Sequence, residues 1–162
     1  MVGEINTDET ALLHLLMDTG GRTRYKYYQK EEQESIEVVQ EATMAFIKNA
    51  NRKLNIDLNE TPKIDIKLEL KASIDEYIDG LNLNNPEEKK RLEEAIAKSI
   101  EADSSKLLEY LQEIGSDPLG IGEIIRSKHN LYWKSVEGEE VYSNIDFNID
   151  VKLEIEFFGA IY

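Results

Sequence analysis

The chain has 162 residues, 41% of them apolar and 32% charged, with 19 Lys and Arg set against 33 Asp and Glu for a formal charge of −14. That length suits a single domain spanning 1–162, able to bury about two-thirds of the surface its unfolded chain exposes. The acidic balance argues against nucleic acid and anionic lipid as partners, and the absence of Cys excludes disulfides, thiolate metal sites and cysteine nucleophiles.

No apolar run approaches the ~18 residues of a membrane-spanning helix. Met1-Val2-Gly3-Glu4-Ile5 reads as a strand end with nothing before it, the pattern expected of a fragment of a longer protein. Asn6-Thr7-Asp8-Glu9 supplies an N-cap with Glu three residues later. Ala11, Leu12, Leu15 and Leu16 then give a helix of about three turns one apolar face. Gly20-Gly21 is the expected stop, and residues 22–30, with Tyr25, Tyr27 and Tyr28, read as a strand. Residues 34–48 fit either a strand or a helix. Alternation that puts Ile36, Val38, Met44 and Phe46 on one face favours the strand. Asn49-Ala50-Asn51 then reads as a turn, with a short return strand from Leu54 to Leu58.

After Pro62 the pattern sharpens. Ile64, Ile66, Leu68, Leu70, Ala72 and Ile74 alternate with polar residues, three of them lysines, as in a long half-buried strand. Asn85 before Pro86, with Glu88 at the third helical position, opens a helix. Its stripe of Leu92, Ile96, Ile100, Leu107, Leu111 and Ile114 predicts a span from Pro86 to about Ile114, with Gly115 as terminator. The last strand alternates Ile145, Phe147, Ile149, Val151, Leu153, Ile155 and Phe157 with a mostly acidic polar face. Opposed charges make it the expected neighbour of the Lys63 strand. The order of elements predicts an α+β fold: an antiparallel-rich or mixed sheet, with a long helix and shorter helices packed on one face.

Between the last helix and strand lies Gly115–Trp133, GSDPLGIGEIIRSKHNLYW. Gly120-Ile121-Gly122 before a helix invites a phosphate-loop reading. However, Glu123 follows where Lys and a hydroxyl residue would be required, and a helix rather than a strand precedes it. The structural reading accounts for more residues. Asp117 caps a helix starting at Pro118, Ile121, Ile124 and Ile125 form its apolar stripe, the two glycines permit close packing, and Trp133 is largely buried beside them. His14 and His129 have no carboxylate spacing that marks a metal site, and no Gly-x-Ser-x-Gly turn or Asp-rich calcium loop occurs. The expectation is a protein with no catalytic residues and no cofactor.

Asp117-Pro118-Leu119-Gly120-Ile121-Gly122-Glu123, then Tyr132-Trp133-Lys134 and an alternating strand closed by Gly159, resembles the carboxyl-terminal domain of the Ger(x)C family, the C subunits of spore germinant receptors. The resemblance covers essentially the whole chain and is tightest from Asp117 onward. Two departures stand out: Gly138-Glu139-Glu140-Val141-Tyr142 replaces a second Trp, and the segment from Ala42 to Pro62 is longer than usual. The resemblance implies a non-enzymatic module of a lipoprotein held by an amino-terminal lipid anchor at the outer face of the spore inner membrane. Its expected partners are the integral membrane A and B subunits, in receptor assembly or signal relay. Asp117, Pro118, Gly120, Gly122, Glu123, Trp133 and Gly159 are then family-motif residues with a structural role. The alternative is direct binding of a small germinant, with an unrelated acidic hydrolase third. Neither nucleic acid nor direct membrane contact by this domain is expected.

Overall fold

The computed structural model describes residues 3–18, 22–28, 42–76, 82–136 and 138–158. Met1-Val2, Gly20-Gly21, Ile36, Val38 and Gly159 lie outside them. The elements run α1 (Thr7–Leu16), β1 (Thr23–Tyr28), β2 (Ala42–Asp57), β3 (Lys63–Glu76), α2 (Pro86–Glu113), α3 (Ile121–Lys128), α4 (Asn130–Ser135), α5 (Gly138–Val141), a 3₁₀ turn (Tyr142–Asn144) and β4 (Asp146–Phe158). The four strands form one mixed sheet in the order β1-β2-β3-β4. β1, β2 and β3 pair antiparallel, and β4 joins β3 in parallel after the crossover through α2. The α+β class, the mixed sheet and the neighbouring of the Lys63 strand with the last strand all match the sequence pattern.

One sheet face is buried. Ile64, Ile66, Leu68, Leu70, Ala72 and Ile74 of β3 and Ile149, Val151, Leu153 and Ile155 of β4 meet the α2 stripe of Leu92, Ile96, Ile100, Leu107, Leu108 and Leu111. The other face is polar and open, with Lys63, Lys67 and Lys71 opposite Asp146, Asp150 and Glu154. Lys71 reaches diagonally to Glu156 at 3.0 Å. Asp65 accepts from Asn55 on one side and Asn148 on the other. These bonds hold its carboxyl below the usual Asp range.

The segment expected to turn at Asn49-Ala50-Asn51 is instead a continuous strand. The register with β3 shifts between Ile47 and Asn49, so Lys48 is an extra residue in β2. Before it, the odd positions Thr43, Ala45 and Ile47 are buried, and Met44 and Phe46 take the other face. After it, the even positions Ala50, Leu54 and Ile56 pack on the core. The bulge reconciles two apolar patterns of opposite parity that otherwise look like separate elements. Arg52, in the inward row, donates to the Leu16 carbonyl at 2.6 Å and so satisfies an orphan acceptor at the end of α1.

Helix boundaries follow local chemistry. Asn6 and Glu9 form a reciprocal capping box on α1. That helix ends before the expected Gly-Gly stop, with Asp18 in the left-handed region at φ 56°. Residues 3–6 are irregular rather than a strand end. Asn85 caps α2, with Pro86 in its first turn. Gly115 closes α2 at φ 69°, where its N–H donates to Gln112 and that of Ser116 to Leu111, a Schellman arrangement.

Between β1 and α2, the buried Tyr25 hydroxyl donates to Asp103 at 2.7 Å and sits 2.6 Å from the Ser99 hydroxyl. Burial, together with the Asp103 carboxylate, pushes the phenol well above its ordinary range against the opposing effect of Ser99.

Strand β4 ends the sheet order, yet its outer edge is occupied by α2. The Glu101 carboxylate accepts from the Val151 N–H at 2.9 Å, and Glu93 from the Ile155 N–H at 2.8 Å. Eight helical residues rise about 12 Å and four strand residues about 13 Å, so helix and strand stay in step while running in opposite directions. Removing either acceptor strands a part-buried donor. Glu101→Ala is expected to cost about 1–3 kcal/mol and Glu101→Gln, which keeps an acceptor, less. Urea unfolding midpoints measure both, and an unshifted Glu101→Ala midpoint would show that the edge contact contributes nothing.

Candidate functional site

The segment after Gly115 is built around one carboxylate. Pro118 and Leu119 turn the chain so that the Gly120 N–H donates to the Asp117 carbonyl at 3.1 Å. Gly120 sits at φ 68°, a left-handed conformation glycine adopts without the Cβ penalty. Asp117 then reaches past the turn: Oδ1 accepts from the Ile121 N–H at 3.0 Å and Oδ2 from the Gly122 N–H at 2.7 Å. The cap therefore serves a helix that begins at Ile121, not at Pro118 as the sequence suggests. A Pro in a tight turn mimics a first helical position, and only the left-handed Gly120 separates the two readings.

Gly122 lies under two groups at once. A Cβ there would stand 3.3 Å from Asp117 Oδ2 and 3.8 Å from Trp133 Cη2. The indole and the capping carboxylate thus converge on the same glycine. Trp133 is half-buried rather than largely buried, and packs against the core with Tyr132 and Val136. Leu119, Ile121 and Ile125 complete the apolar side of the joint. Glu123 faces outward and makes a two-pronged contact with Arg126 at 2.8 and 2.9 Å. Of the motif residues, Asp117, Pro118, Gly120, Gly122 and Trp133 come together, while Glu123 stands apart on the exposed side.

Two contributors to this region are not evident from the sequence alone. Gln112 donates to the carbonyls of Tyr142 and Ile145 at 2.9 and 2.8 Å, tying the end of α2 to the turn before β4. Its place one turn after the buried Leu108 is the signal that marks it. Tyr142 is buried, with its hydroxyl lacking a hydrogen-bond partner among the described residues. Burial first, and then the charge of Asp117, raise its phenol well above the ordinary range.

Two surface clefts flank these elements. One, of about 200 Å³, lies between α2 and the start of β4 and is lined by Ser105, Leu108, Glu109, Gln112, Asp146 and Phe147 among others. The other, of about 310 Å³, is a groove on the open sheet face beside the bulge, lined by Asn49, Asn51, Glu69, Lys71, Lys152 and Glu154. The charged and amide groups of the second share its lining with Leu70. Among the described residues no cluster of three or more His, Asp or Glu could hold a metal ion, and no helix is long and apolar enough to cross a membrane.

Comparison with known proteins agrees across the whole chain. The crystal structure of the GerBC protein superimposes with a TM-score of 0.76 and 26% identity, covering 96% of this chain and 47% of that one. The spore germination protein GerQC of Bacillus cereus is 28% identical over 161 residues, which are 99% of this chain and 43% of that protein. The spore germination protein B3 of Bacillus subtilis (strain 168) is 35% identical over 74 residues, 44% of this chain and 20% of that protein. The chain thus spans less than half the length of these relatives. The family described as spore germination B3/GerAC-like, C-terminal, matches residues 1–159. With its capped joint, its mixed sheet and that match, the chain belongs to the spore germination B3/GerAC-like C-terminal family.

Proposed function

We propose that this domain is a non-catalytic module of a germinant receptor C subunit, acting in receptor assembly or signal relay during spore germination. Family membership over residues 1–159 carries the reading, since it supports a role in germination and a spore-membrane setting. GerQC and B3 are named as spore germination proteins, and neither is named as an enzyme. In this reading 1–162 is one carboxyl-terminal domain of a longer lipoprotein. An amino-terminal lipid anchor outside this chain holds it at the outer face of the spore inner membrane, beside the integral membrane A and B subunits. Co-purification of the full-length protein with the membrane subunits, with and without germinant, tests it. Association that needs this domain is the expected result, and unchanged association after its removal would overturn the reading.

The motif residues act in this proposal through the fold. Asp117→Ala removes a cap and is expected to cost about 0.5–2 kcal/mol. Gly122→Val sets a branched side chain against the Asp117 carboxylate and the Trp133 ring, and its cost is expected to be larger, within about 1–3 kcal/mol. Urea melts followed by Trp133 fluorescence measure both. Unchanged midpoints alongside lost receptor assembly would make the motif a contact surface instead.

Tyr142→Phe is expected to be neutral or stabilising, because the deleted hydroxyl has no partner to lose. A phenol raised on folding contributes stability that is full below the unfolded value of about 10 and is lost as pH rises toward the folded one. The variant's melting temperature should therefore fall less steeply above pH ~10 than the parent's. Identical alkaline slopes would exclude Tyr142 as a source of that loss.

A further inference from the structure

Strand β2 is longer than the strand beside it. β1 pairs with Ala42 to Ile47 alone, so from Asn49 to Asp57 one edge of β2 has no strand partner among the described residues. Burial of its inward row changes at the same point. Ala45 and Ile47, flanked by β1 and β3, are wholly buried, whereas Leu54, Ile56 and Leu58 are only half-buried. Ile64 and Ile66, which face Ile56 and Leu54 from β3, are wholly buried, so the missing cover lies on the outer side of β2. Arg52 reaches the Leu16 carbonyl on the inner face, which sets the exposed Met17 beside the same edge. The outward row of the free stretch is Asn51, Lys53, Asn55 and Asp57. Lys53 stands directly opposite Lys67 of β3, a like-charge pairing that costs stability, and leans to Glu69 at 3.4 Å.

We infer that this edge is a docking site for a second copy of the chain, the two β2 strands pairing antiparallel about a two-fold axis at Asn55. Self-complementarity carries the choice of occupant. A two-fold contact sets residue i against residue j and j against i, and one symmetric register alone puts Lys53 opposite Asp57. In that register both Lys53–Asp57 pairs form on the open face. Both Leu54–Ile56 pairs form on the inner face, beside Arg52 opposite Leu58. A centre at Lys53 or at Asp57 would oppose like charges instead. An edge lysine by itself deters strand addition, but here Asp57, on the same row, supplies its counter-charge. Net charge does not forbid the contact. From Asn49 to Lys71 the two strands that build the edge, with their turn, hold five basic and four acidic residues, and Asp18 after Met17 makes the balance even. Charges elsewhere on two chains of −14 each are largely screened beyond ~8 Å at about 0.15 M salt. Residues 53–57 of each chain make a short ladder, so the pairing is weak and reversible. The inference does not depend on the receptor reading above.

The chain lacks Cys, so Asn55→Cys supplies one thiol that meets its own copy across the axis. Facing Cα atoms in an antiparallel pair are about 4.5–5.5 Å apart, within the range that a disulfide spans. Asn51→Cys, exposed on the same row, is the control, because its copy lies about 26 Å away along the paired strands. Each variant is oxidised mildly at about 0.15 M salt and read on non-reducing gels, and thermal melts confirm that it folds. The expected result is a disulfide-linked dimer at position 55 and none at 51. The link should fall several-fold when Lys53→Glu is added and return with Lys53→Glu and Asp57→Lys together, which restore opposite charges. The parent chain should sediment toward the dimer mass as its concentration rises. No link at 55, an equal link at 51, or a link indifferent to Lys53→Glu would overturn the inference. So would a link at 55 that forms in this chain but not in the full-length protein proposed above, which would assign the edge to the rest of that protein.

Discussion

The parallel pairing of β3 with β4 is the contact on which the remaining structure depends. Parallel neighbours cannot be joined by a tight turn, so the chain must return along a crossover, and here that crossover is the 28 residues of α2. The crossover lays one apolar stripe along β4 on the inner face of the sheet, beside α1, which packs over β1 to β3. It also brings Glu93 and Glu101 alongside a strand edge that would otherwise present bare N–H groups. An open edge is a template for unwanted strand addition. By setting carboxylates from its own connection against two of those groups, the fold blunts the edge beside its parallel pair.

That arrangement also explains why a joint follows α2. The helix ends at one extremity of the sheet, and β4 must begin beside Pro62, where the Asp146 N–H donates to the Pro62 carbonyl at 2.8 Å. Between these fixed points three short helices are folded into a small apolar cluster rather than stretched as a loop. Asp117 and Gly120 set the first change of direction, and Gln112 secures the last by holding two carbonyls from the side. The residues that carry the family resemblance are thus concentrated where the backbone bends most sharply. A sharp bend tolerates few side chains, whereas a helix face tolerates many.

Much of this was legible from residue order. The period-two runs of β3 and β4, the Asn85-Pro86 start and Gly115 end of α2, and the opposed charges of the last two strands each carry a local signal that the tertiary structure preserves. What escaped reading depends on contacts distant in sequence. Nothing near Glu101 announces a bond to Val151, and nothing near Arg52 points to the Leu16 carbonyl. Tyr142 gives no sign that its hydroxyl will be buried near Asp117. At the joint, the local signal itself misled, since Asp-Pro reads equally as cap-plus-first-turn and as the corner of a β-turn. For β2 the alternation was real but changed parity midway, and a pattern that changes parity looks like two elements.

The extra residue at Lys48 works as a frame corrector for the sheet. Upstream of it β2 is read in odd positions from Ala45 and downstream in even ones, while β3 keeps a single frame from Lys63 to Ile74. One residue added or lost between Ile47 and Ala50 would therefore turn half the strand inside out. It would set Leu54 and Ile56 against solvent, with Lys53 and Asn55 facing the core. Residues added in the turn after Asp57, by contrast, leave both frames intact. Length can therefore change between Ala42 and Pro62 without cost to the frame only in the turn, and the middle of this long strand becomes one of the least extensible parts of the domain.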